Sequence, residues 1–406
     1  MSVEPAKNPL GQTLLFGVGL GPGDPDYMTV RARDIILSAD RLVHFCKRGR
    51  RGHARITADA VVGQDAAREI ALVFPVTIEV PVEDEGYSGP ITQFYDDSAA
   101  LLAAEMEAGR SVAVLCDGDP FFYGSFMHLW RRLSHRFPTE VVPGVTGMAG
   151  AWTRANAPIT WGDDILTVLP GTLPEAELAP RRYGRGGDHE ARPQPAQGAP
   201  CAGGHRPDRA GDLCRAGDDG RPGHHPPQRA RRRGGAVFFD GAGPRRGAAA
   251  VSGSLTIVGL GPGPAQWLTP AAQAAIDSAS DLIGYGPYLD RIPTRDGQTK
   301  HASDNRVEID RARHALQLAA AGKTVAVVSG GDPGVFAMAA AVFEALEAGD
   351  PAWLSLPIAI EPGVTAMLAA AAKAGAPLGG DFCAISLSDN LKPWEVVTAR
   401  CSPQTS

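Results

Sequence analysis

Several features are scarce or missing in this 406-residue sequence, and each absence excludes a class of protein. No run of about 18 apolar residues occurs, so no membrane-spanning helix is expected. The stretch from Met1 to Gly11 lacks a basic region followed by an apolar core, so no signal peptide is expected. The six cysteines form no C-x-x-C pair, which argues against a zinc site or a disulfide framework and favours a reducing cytoplasm.

The charge composition excludes a further class of partner. The chain carries 39 Lys and Arg against 45 Asp and Glu, a net charge of −6, so it has no basic excess that would attract nucleic acid. Its 44% hydrophobic and 21% charged residues are ordinary for a globular protein. The length allows roughly two to four domains.

Three blocks of sequence occur twice in the same order. The first reads VGLGPGDPDYMT at 18–29 and VGLGPGPAQWLT at 258–269. The second reads SVAVLCDGDPFFYGS from 111 and TVAVVSGGDPGVFAM from 324. The third reads VVPGVTGMAGAWTRANAPI from 141 and AIEPGVTAMLAAAAKAGAPL from 359. A period this long is not that of a solenoid, so the blocks predict duplication of a whole module.

Each module has the pattern of an α/β domain. Apolar runs such as TLLFGVGLG, the strand at 42–45 and SVAVLC predict buried strands, and TVRARDIILSADRLV has helical spacing. Strands that alternate with helices favour a mostly parallel sheet covered on both faces. All three repeated blocks are strand-to-turn junctions, so we expect them to line the carboxyl edge of the sheet, where ligands bind.

The segment between the modules is of another kind. Residues 182–250 contain 15 Gly, 13 Arg and 8 Pro but one Leu, one Val and no Ile, Met, Lys, Ser or Thr. Such a composition cannot bury enough apolar surface to form a core. One interpretation is an Arg/Gly-rich linker that binds RNA. The one we favour is a domain read out of frame, because DNA that can encode GDHEARPQPAQGA gives an ordinary strand, turn and helix start when it is read one base later. His224 and His225 resemble a metal pair but lie in this segment, and no metal is expected.

The repeated glycine turn fits nucleotide binding poorly. Gly19, Gly21 and Gly23 do not form G-x-G-x-x-G, Pro22 has no N–H to offer a phosphate, and the Walker lysine is absent. The glycines permit a tight crossover. Because Pro22 and Pro262 occupy the same place in both copies, a shaped binding surface is the interpretation we prefer.

The motifs GVGLGPGDPDYMT, GDPFFYG and VPGVT together resemble those of the tetrapyrrole methyltransferases, which use S-adenosyl-L-methionine. The first module, with KRGRRGHARITADAVV at 47–62, resembles the precorrin-2 C(20)-methyltransferases. The second, with DLIGYGPYLDRIP at 281–293, SDNRVE at 303–308 and SLSDNLKPWEV at 386–396, resembles the precorrin-3B C(17)-methyltransferases, which couple methylation to ring contraction. The resemblance implies methylation of precorrin-2 and precorrin-3B in the synthesis of the corrin ring of cobalamin. It also implies pairing as a homodimer.

The resemblance also implies which residues contact the donor; catalytic acid or base groups stay unknown. Methyl displacement from a sulfonium requires alignment more than a strong acid or base. In module one the donor contacts are Pro22, Asp117, Gly118, Asp119, Phe122, Thr146 and Gly147. In module two they are Pro262, Gly330, Gly331, Asp332, Val335, Thr365 and Ala366. For the aspartates the alternative role is a turn before proline, and for the threonines it is helix capping.

The remaining polar candidates are weaker. Asp24 follows the first glycine turn, but Pro264 stands at its place in the second copy. His44 and His128 are predicted to be ordinary strand and helix residues. The cluster Arg48, Arg50 and Arg51 either pairs with the carboxylates of a precorrin or belongs to a solvated loop.

These observations predict tandem modules with the following bounds. The first module covers 12–180, an irregular segment covers 181–252, the second module covers 253–397 and is truncated at its C-terminus, and 398–406 form a tail. Family members have a second α/β domain per module, which would begin near Thr167 in module one. The alternative to a bifunctional enzyme is an impaired remnant that at most binds tetrapyrrole or donor. A third interpretation, a methyltransferase of another ring position or of diphthamide synthesis, conflicts with PYLDRIP and SDNRVE.

Overall fold

A computed structural model describes residues 13–75, 85–161, 164–170 and 253–386. Described residues as far as Val168, and those from 253 to Ala384, belong to one compact unit. The predicted irregular segment from 181, the histidines at 224 and 225, and the predicted tail lie outside the described residues. The domain bounds therefore stay predictions.

The first module contains a five-stranded parallel sheet in the order β3-β2-β4-β1-β5. Its strands are β1 (Leu15–Gly19), β2 (Arg41–Cys46), β3 (Glu69–Val73), β4 (Val112–Cys116) and β5 (Thr139–Val142). Its helices are α1 (Val30–Ser38), α2 (His53–Val62), α3 (Glu85–Glu107), α4 (Phe126–Leu133) and α5 (Gly147–Ala155). The strands and helices predicted from the apolar runs are confirmed.

The second module repeats this arrangement. Strand β6 (Ile165–Val168) precedes this module in the chain. The strands of the module are β7 (Ser254–Gly259), β8 (Asp281–Tyr285), β9 (Thr299–Ser303), β10 (Thr324–Ser329), β11 (Ile358–Glu361) and β12 (Phe382–Ile385). The helices are α6 (Pro270–Ser278), α7 (Gly286–Leu289), α8 (Glu308–Ala320), α9 (Met338–Ala348) and α10 (Ala366–Ala374). Five strands form a parallel sheet in the order β11-β7-β10-β8-β9, and β12 pairs with β6. Taken from β9 to β11, this order is that of the first sheet, with β7 equivalent to β1 and β10 equivalent to β4. The shared order confirms the predicted tandem α/β modules.

Burial explains why the apolar runs form central strands. Every residue of β1 and β4 is buried, and the two strands run in register from Leu15 opposite Val112 to Gly19 opposite Cys116. Separate apolar clusters cover the two faces of each sheet. Because β1 and β4 end side by side, the turns that follow them meet at the same edge.

Helix caps are repeated with the strands. The Thr29 hydroxyl accepts a hydrogen bond from the Ala32 amide at 3.2 Å and so begins α1. Thr269 does the same for Ala272 at the start of α6, also at 3.2 Å. A side-chain cap of this kind satisfies an otherwise unpaired amide of the first turn. The repeated YMT and WLT sequences are therefore local signals that begin equivalent helices.

The two modules pack against each other within the compact unit. The Val30 amide at the start of α1 donates to Leu268 O at 3.1 Å, and Asn156 Nδ2 at the end of α5 donates to Ile358 O at 3.0 Å. In the reverse direction, α10 packs against β5, and α6 packs against the short helical turn Pro25–Tyr27. Equivalent elements therefore contact each other in reciprocal pairs.

Candidate functional site

The three repeated turns come together in each module, and we call this arrangement the glycine cradle. In module one it consists of 19–23, 117–119 and 144–147; in module two, of 259–263, 330–332 and 363–366. Gly21 and Gly118 pair as an antiparallel bridge, with Gly118 N donating to Gly21 O at 2.8 Å. Their φ angles, +80° and +66°, lie in the left-handed region that glycine tolerates best. Gly261 and Gly331 form the same bridge in module two.

Backbone packs directly on backbone beneath the bridge. A Cβ atom on Gly144 would lie 2.1 Å from Gly118 O, and one on Gly19 would lie 2.6 Å from Gly144 N. In module two, a Cβ atom on Gly363 would lie 2.5 Å from Gly331 O. No other residue fits such a contact without movement of the backbone. The repeated glycine of PGVT is therefore required by the close approach of three turns.

Asp119 and Asp332 join the turns from within. Asp119 is 2% exposed, and its two carboxylate oxygens accept hydrogen bonds from Phe121 N at 2.8 Å and Gly144 N at 3.0 Å. Asp332, also 2% exposed, accepts from Gly334 N at 2.8 Å and from Gly363 N at 3.2 Å. Each carboxylate thus fixes its own turn to the neighbouring PGVT turn. This geometry supports the turn-forming role that sequence reasoning ranked second.

Burial perturbs these carboxyl groups. It raises the pKa of Asp119 to about 7, although the amides of Gly144, Phe121 and Phe122 oppose the shift by stabilising the charged form. Burial likewise raises the pKa of Asp332 to about 6, although hydrogen bonds from the amides of Gly334 and Gly363 and from the Trp152 indole N–H lower it in part.

The threonines of the cradle are helix caps. Thr146 Oγ1 accepts from Ala149 N at 3.1 Å, and Thr365 Oγ1 accepts from Leu368 N at 3.4 Å, so α5 and α10 begin at the cradle. Gly147, the first residue of α5, is exposed, and no heavy atom lies within 4 Å of a Cβ placed on it. The cradle therefore ends in a helix N-terminus with free space above it.

Pro22 and its counterpart Pro262 are half-buried in the first turn of each cradle. Pro22 packs on α5, because a Cβ on Gly150 would meet its ring carbons at 2.8 and 2.9 Å. The proline shapes this wall of the cradle through contact with the helix.

Phe122 and Val335 lie where one module contacts the other. The Phe122 backbone forms a parallel bridge with Leu378, and its ring packs edge-on against Phe382 with centroids 6.1 Å apart. Val335 packs against the buried cluster that contains Trp152. The structure thus places these two predicted donor residues at the module contact, beside the cradle.

The two cradles differ at the end of the central strand. Asp117 follows β4; partial desolvation by the surrounding protein raises the pKa of its carboxyl, and the charge of nearby His53 lowers it in part. At the equivalent place, Gly330 is covered by Tyr288, whose Cζ would be 2.7 Å from a Cβ there. Module one therefore presents a carboxylate where module two presents a phenol ring.

The remaining polar candidates do not converge on the cradle. His44 is buried in β2 and hydrogen-bonded through Nε2 to Glu69 Oε1 at 2.9 Å, and His128 in α4 stacks on Tyr95, which confirms the ordinary roles predicted for both. Asp24 is exposed and accepts from the Asp26 amide.

The arginine cluster divides into two kinds of residue. Arg51 donates to Asp59 Oδ2 at 2.7 Å, so it is already paired within the protein. Arg48 and Arg50 are exposed. Both alternatives for Arg48 and Arg50, pairing with precorrin carboxylates or a solvated loop, stay predictions.

Sequence reasoning missed several residues of this region. The glycine pairs 19/144 and 259/363 could have been found, because both copies repeat them. Tyr288 lies within the quoted GYGPYLD run, but nothing in that run indicates what the ring covers. Trp152 gave no signal, since Ala371 stands at its place in the second copy.

The described residues contain neither a candidate metal cluster nor a helix that could cross a membrane. Among residues 13–75, 85–161, 164–170 and 253–386, no group of three His, Cys, Asp or Glu side chains is arranged to hold a metal ion. None of the helices in those ranges is both long and apolar enough to cross a membrane.

Comparison with known proteins gives matches along both modules. The sequence model of the Tetrapyrrole (Corrin/Porphyrin) Methylases matches residues 14–186 and 254–402. The cobalamin biosynthesis protein CobIJ of Mycobacterium tuberculosis is 41% identical over 95% of this chain and 76% of its own length. A precorrin-2 C(20)-methyltransferase of Sinorhizobium sp is 49% identical over 42% of this chain and 70% of its own length. A precorrin-3B C(17)-methyltransferase from the same source is 61% identical over 37% of this chain and 59% of its own.

Proposed function

Because the chain belongs to the tetrapyrrole (corrin/porphyrin) methylase family, we propose that it methylates two precorrins in cobalamin synthesis. The first module transfers a methyl group from S-adenosyl-L-methionine to C20 of precorrin-2. The second transfers one to C17 of precorrin-3B. In each reaction the donor's S–CH3 bond breaks, a C–CH3 bond forms on the macrocycle, and S-adenosylhomocysteine and one proton are released.

One observation carries this proposal: the chain holds two complete copies of one cradle, each within a module that resembles a different methyltransferase. The two Sinorhizobium relatives align over 172 and 150 residues, close to the lengths of the segments 14–186 and 254–402. The fused relative CobIJ aligns along both. Identity this high along both modules favours an enzyme over the impaired remnant.

The described cradle fits a cationic sulfonium donor that carries an adenosyl group. Free space surrounds Gly147 and Gly23, where a Cβ atom would meet nothing within 4 Å. The Asp117 carboxylate in module one and the Tyr288 ring in module two both attract a cation. The helices α5 and α10 begin at exposed residues, Gly147 and Ala366, and the amides of a first helical turn are suited to polar groups of the donor.

We assign four roles to the predicted residues. Pro22, Gly118 and Gly147, with Pro262, Gly331 and Ala366, form the surface on which the donor lies. Asp119, Thr146, Asp332 and Thr365 are positioning residues that hold this surface through backbone amides. Asp117 and Gly330 set the polarity at its mouth, and Phe122 and Val335 support its outer side from the module contact.

The chemistry agrees with so few charged groups. Displacement at the methyl carbon requires the sulfur, the methyl and the attacking ring carbon to lie in line, and fixing that alignment supplies much of the rate. A rigid cradle of backbone does so without an acid or base of unusual strength. A homodimer stays a prediction.

The test supplies the purified full chain with donor carrying a ¹³C-labelled methyl group and with either precorrin-2 or precorrin-3B. We expect NMR of the products to show the label at C20 from the first substrate and at C17 from the second. Gly118→Ala is expected to lower the first transfer only, and its matched control Gly331→Ala the second only. S-adenosylhomocysteine binding without label transfer to either substrate would instead support the remnant interpretation.

A further inference from the structure

A side chain of module one reaches the cradle of module two. Trp152, in α5, is 7% exposed, and its indole Nε1 donates a hydrogen bond to Asp332 Oδ1 at 3.2 Å. The Asp332 carboxylate also holds the amides of Gly334 and Gly363, so the indole stabilises the group that joins two turns of the second cradle. A hydrogen bond to a buried carboxylate is among the stronger ones in proteins.

The sequence of the second loop leaves room for this indole. Gly334 follows the GDP turn, and a Cβ atom there would lie 2.8 Å from Trp152 Nε1 and 3.0 Å from its Cδ1. In module one the equivalent position is Phe121, which is fully buried and packs edge-on against Trp130 of its own module at 5.4 Å. Ala371 stands where the repeat would place a second Trp152. Module one thus fills its own loop, whereas module two receives an aromatic ring from its neighbour.

A second contact from module one holds the same loop. Thr160 Oγ1 accepts a hydrogen bond from Phe336 N at 2.6 Å, and the amides of Ile159 and Thr160 donate to Gly334 O at 3.0 and 3.3 Å. Phe336 has φ of +49°, a left-handed conformation that a side chain rarely adopts without support. In the second copy Gly379 stands at the place of Thr160, so module two has no hydroxyl there that could hold the equivalent loop of module one.

We propose that Trp152 and Thr160 of module one are positioning residues for loop 332–336 of module two, so that donor binding by module two depends on module one. The proposal rests on the proposed function, because it takes this loop to support the donor. Module two in turn holds loop 121–123: Leu378 N donates to Phe121 O at 2.7 Å, and the Tyr123 hydroxyl donates to Gly380 O at 2.7 Å.

The experiment measures binding of S-adenosylhomocysteine to the full chain by calorimetry, one site at a time. Gly118→Val is used to block the first cradle, and Gly331→Val to block the second. In the Gly118→Val chain, Trp152→Phe, which keeps an aromatic ring but removes the N–H, is expected to weaken binding on the order of tenfold. In the Gly331→Val chain the same change is expected to leave binding unaltered.

The matched control is Asn156→Gly. It removes another hydrogen bond between the modules, from Asn156 Nδ2 to Ile358 O, at the other end of the same helix. Glycine fits there because Asn156 has φ of +51° and Gly375 stands at the equivalent place. We expect this variant to bind at both sites as the parent does. If Trp152→Phe weakens both sites equally, or neither, the proposal is wrong.

A second readout does not depend on the donor. Thr160→Val keeps the shape of the side chain but removes the acceptor for the Phe336 amide, and Trp152→Phe loosens the Asp332 carboxylate. Both are expected to speed hydrogen–deuterium exchange within 332–336 on the order of tenfold, while Asn156→Gly does not. If the parent chain binds no S-adenosylhomocysteine, the proposed function fails, and exchange still decides the positioning role. Unchanged exchange in both variants overturns it.

Discussion

Gly144→Ala tests whether backbone contact, and not mere flexibility, explains the repeated glycines. The new Cβ would lie 2.1 Å from Gly118 O, so the turns must separate by about 1 Å to reach an ordinary contact. That movement strains the hydrogen bond from Gly144 N to the Asp119 carboxylate, now 3.0 Å long, of a kind that contributes about 1.5–3 kcal/mol. Overpacking adds about 1–3 kcal/mol. We expect the free energy of unfolding to fall by about 3–6 kcal/mol.

Gly118→Ala is the matched control in the same cradle. Its Cβ would meet nothing closer than 3.5 Å, so only the left-handed φ of +66° is strained, at about 1–2 kcal/mol. Reduced freedom of the unfolded chain offsets about 0.4–1 kcal/mol of that cost. This variant should remain folded but bind S-adenosylhomocysteine more weakly at the first site, because its methyl group enters the donor surface.

Equilibrium urea unfolding of the two variants, followed by calorimetry with S-adenosylhomocysteine, checks both expectations. The reasoning is refuted if Gly144→Ala destabilises the chain no more than Gly118→Ala, or if Gly118→Ala binds the ligand at both sites like the parent. Module two repeats the comparison: a Cβ on Gly363 lies 2.5 Å from Gly331 O, whereas a Cβ on Gly331 meets nothing within 3.7 Å.

Three further changes have defined outcomes. Gly330→Ala would displace the Tyr288 ring, which lies 2.7 Å from the new Cβ, and so weaken ligand binding at the second site. Adding Tyr288→Ala to this variant should partly restore binding, whereas parent-like binding of Gly330→Ala alone would contradict the contact. Burial raises the pKa of Asp119 from 3.8 to about 7, so its contribution to stability falls as pH rises from about 4 to 7, by a few kcal/mol. The urea midpoint should therefore drop between pH 5 and pH 8, and Asp119→Asn should remove that part of the slope; an unchanged slope would contradict it. Arg55 is fully buried with Nε 3.2 Å from Glu69 Oε2, so Arg55→Met should cost about 3–5 kcal/mol in urea unfolding, and a cost below about 1 kcal/mol would show the pair is not needed.

Local patterns were sufficient to predict a mostly parallel sheet in each module, but not the order of its strands. Apolar runs such as Val112–Cys116 can only be buried on both faces of a parallel sheet, and Thr29 or Thr269 begins a helix through its own side chain. Both signals act within a few residues of the chain. Duplication then doubled the evidence, since each pattern occurs twice at equivalent places.

Contacts between distant residues could not be predicted in the same way. Trp152 and Asp332 are 180 residues apart, and no repeat marks the tryptophan, because its counterpart is Ala371. The hydrogen-bond partners of Asp119 could not be read from the sequence for a related reason. Only folded coordinates reveal that both its oxygens are taken up by the amides of Phe121 and Gly144.

If both cradles bind the proposed donor, the features that they share reflect the donor and the features that differ reflect the two acceptors. The glycine bridges, the buried aspartates and the capping threonines are the same in both modules, as expected of a surface that binds one ligand twice. The mouth of each cradle differs instead: Asp117 beside His53 in one, and Gly330 beneath Tyr288 in the other. A difference at the mouth is the one expected if the acceptors differ. Exchanging these mouth residues should therefore alter which precorrin is methylated before it alters affinity for S-adenosylhomocysteine.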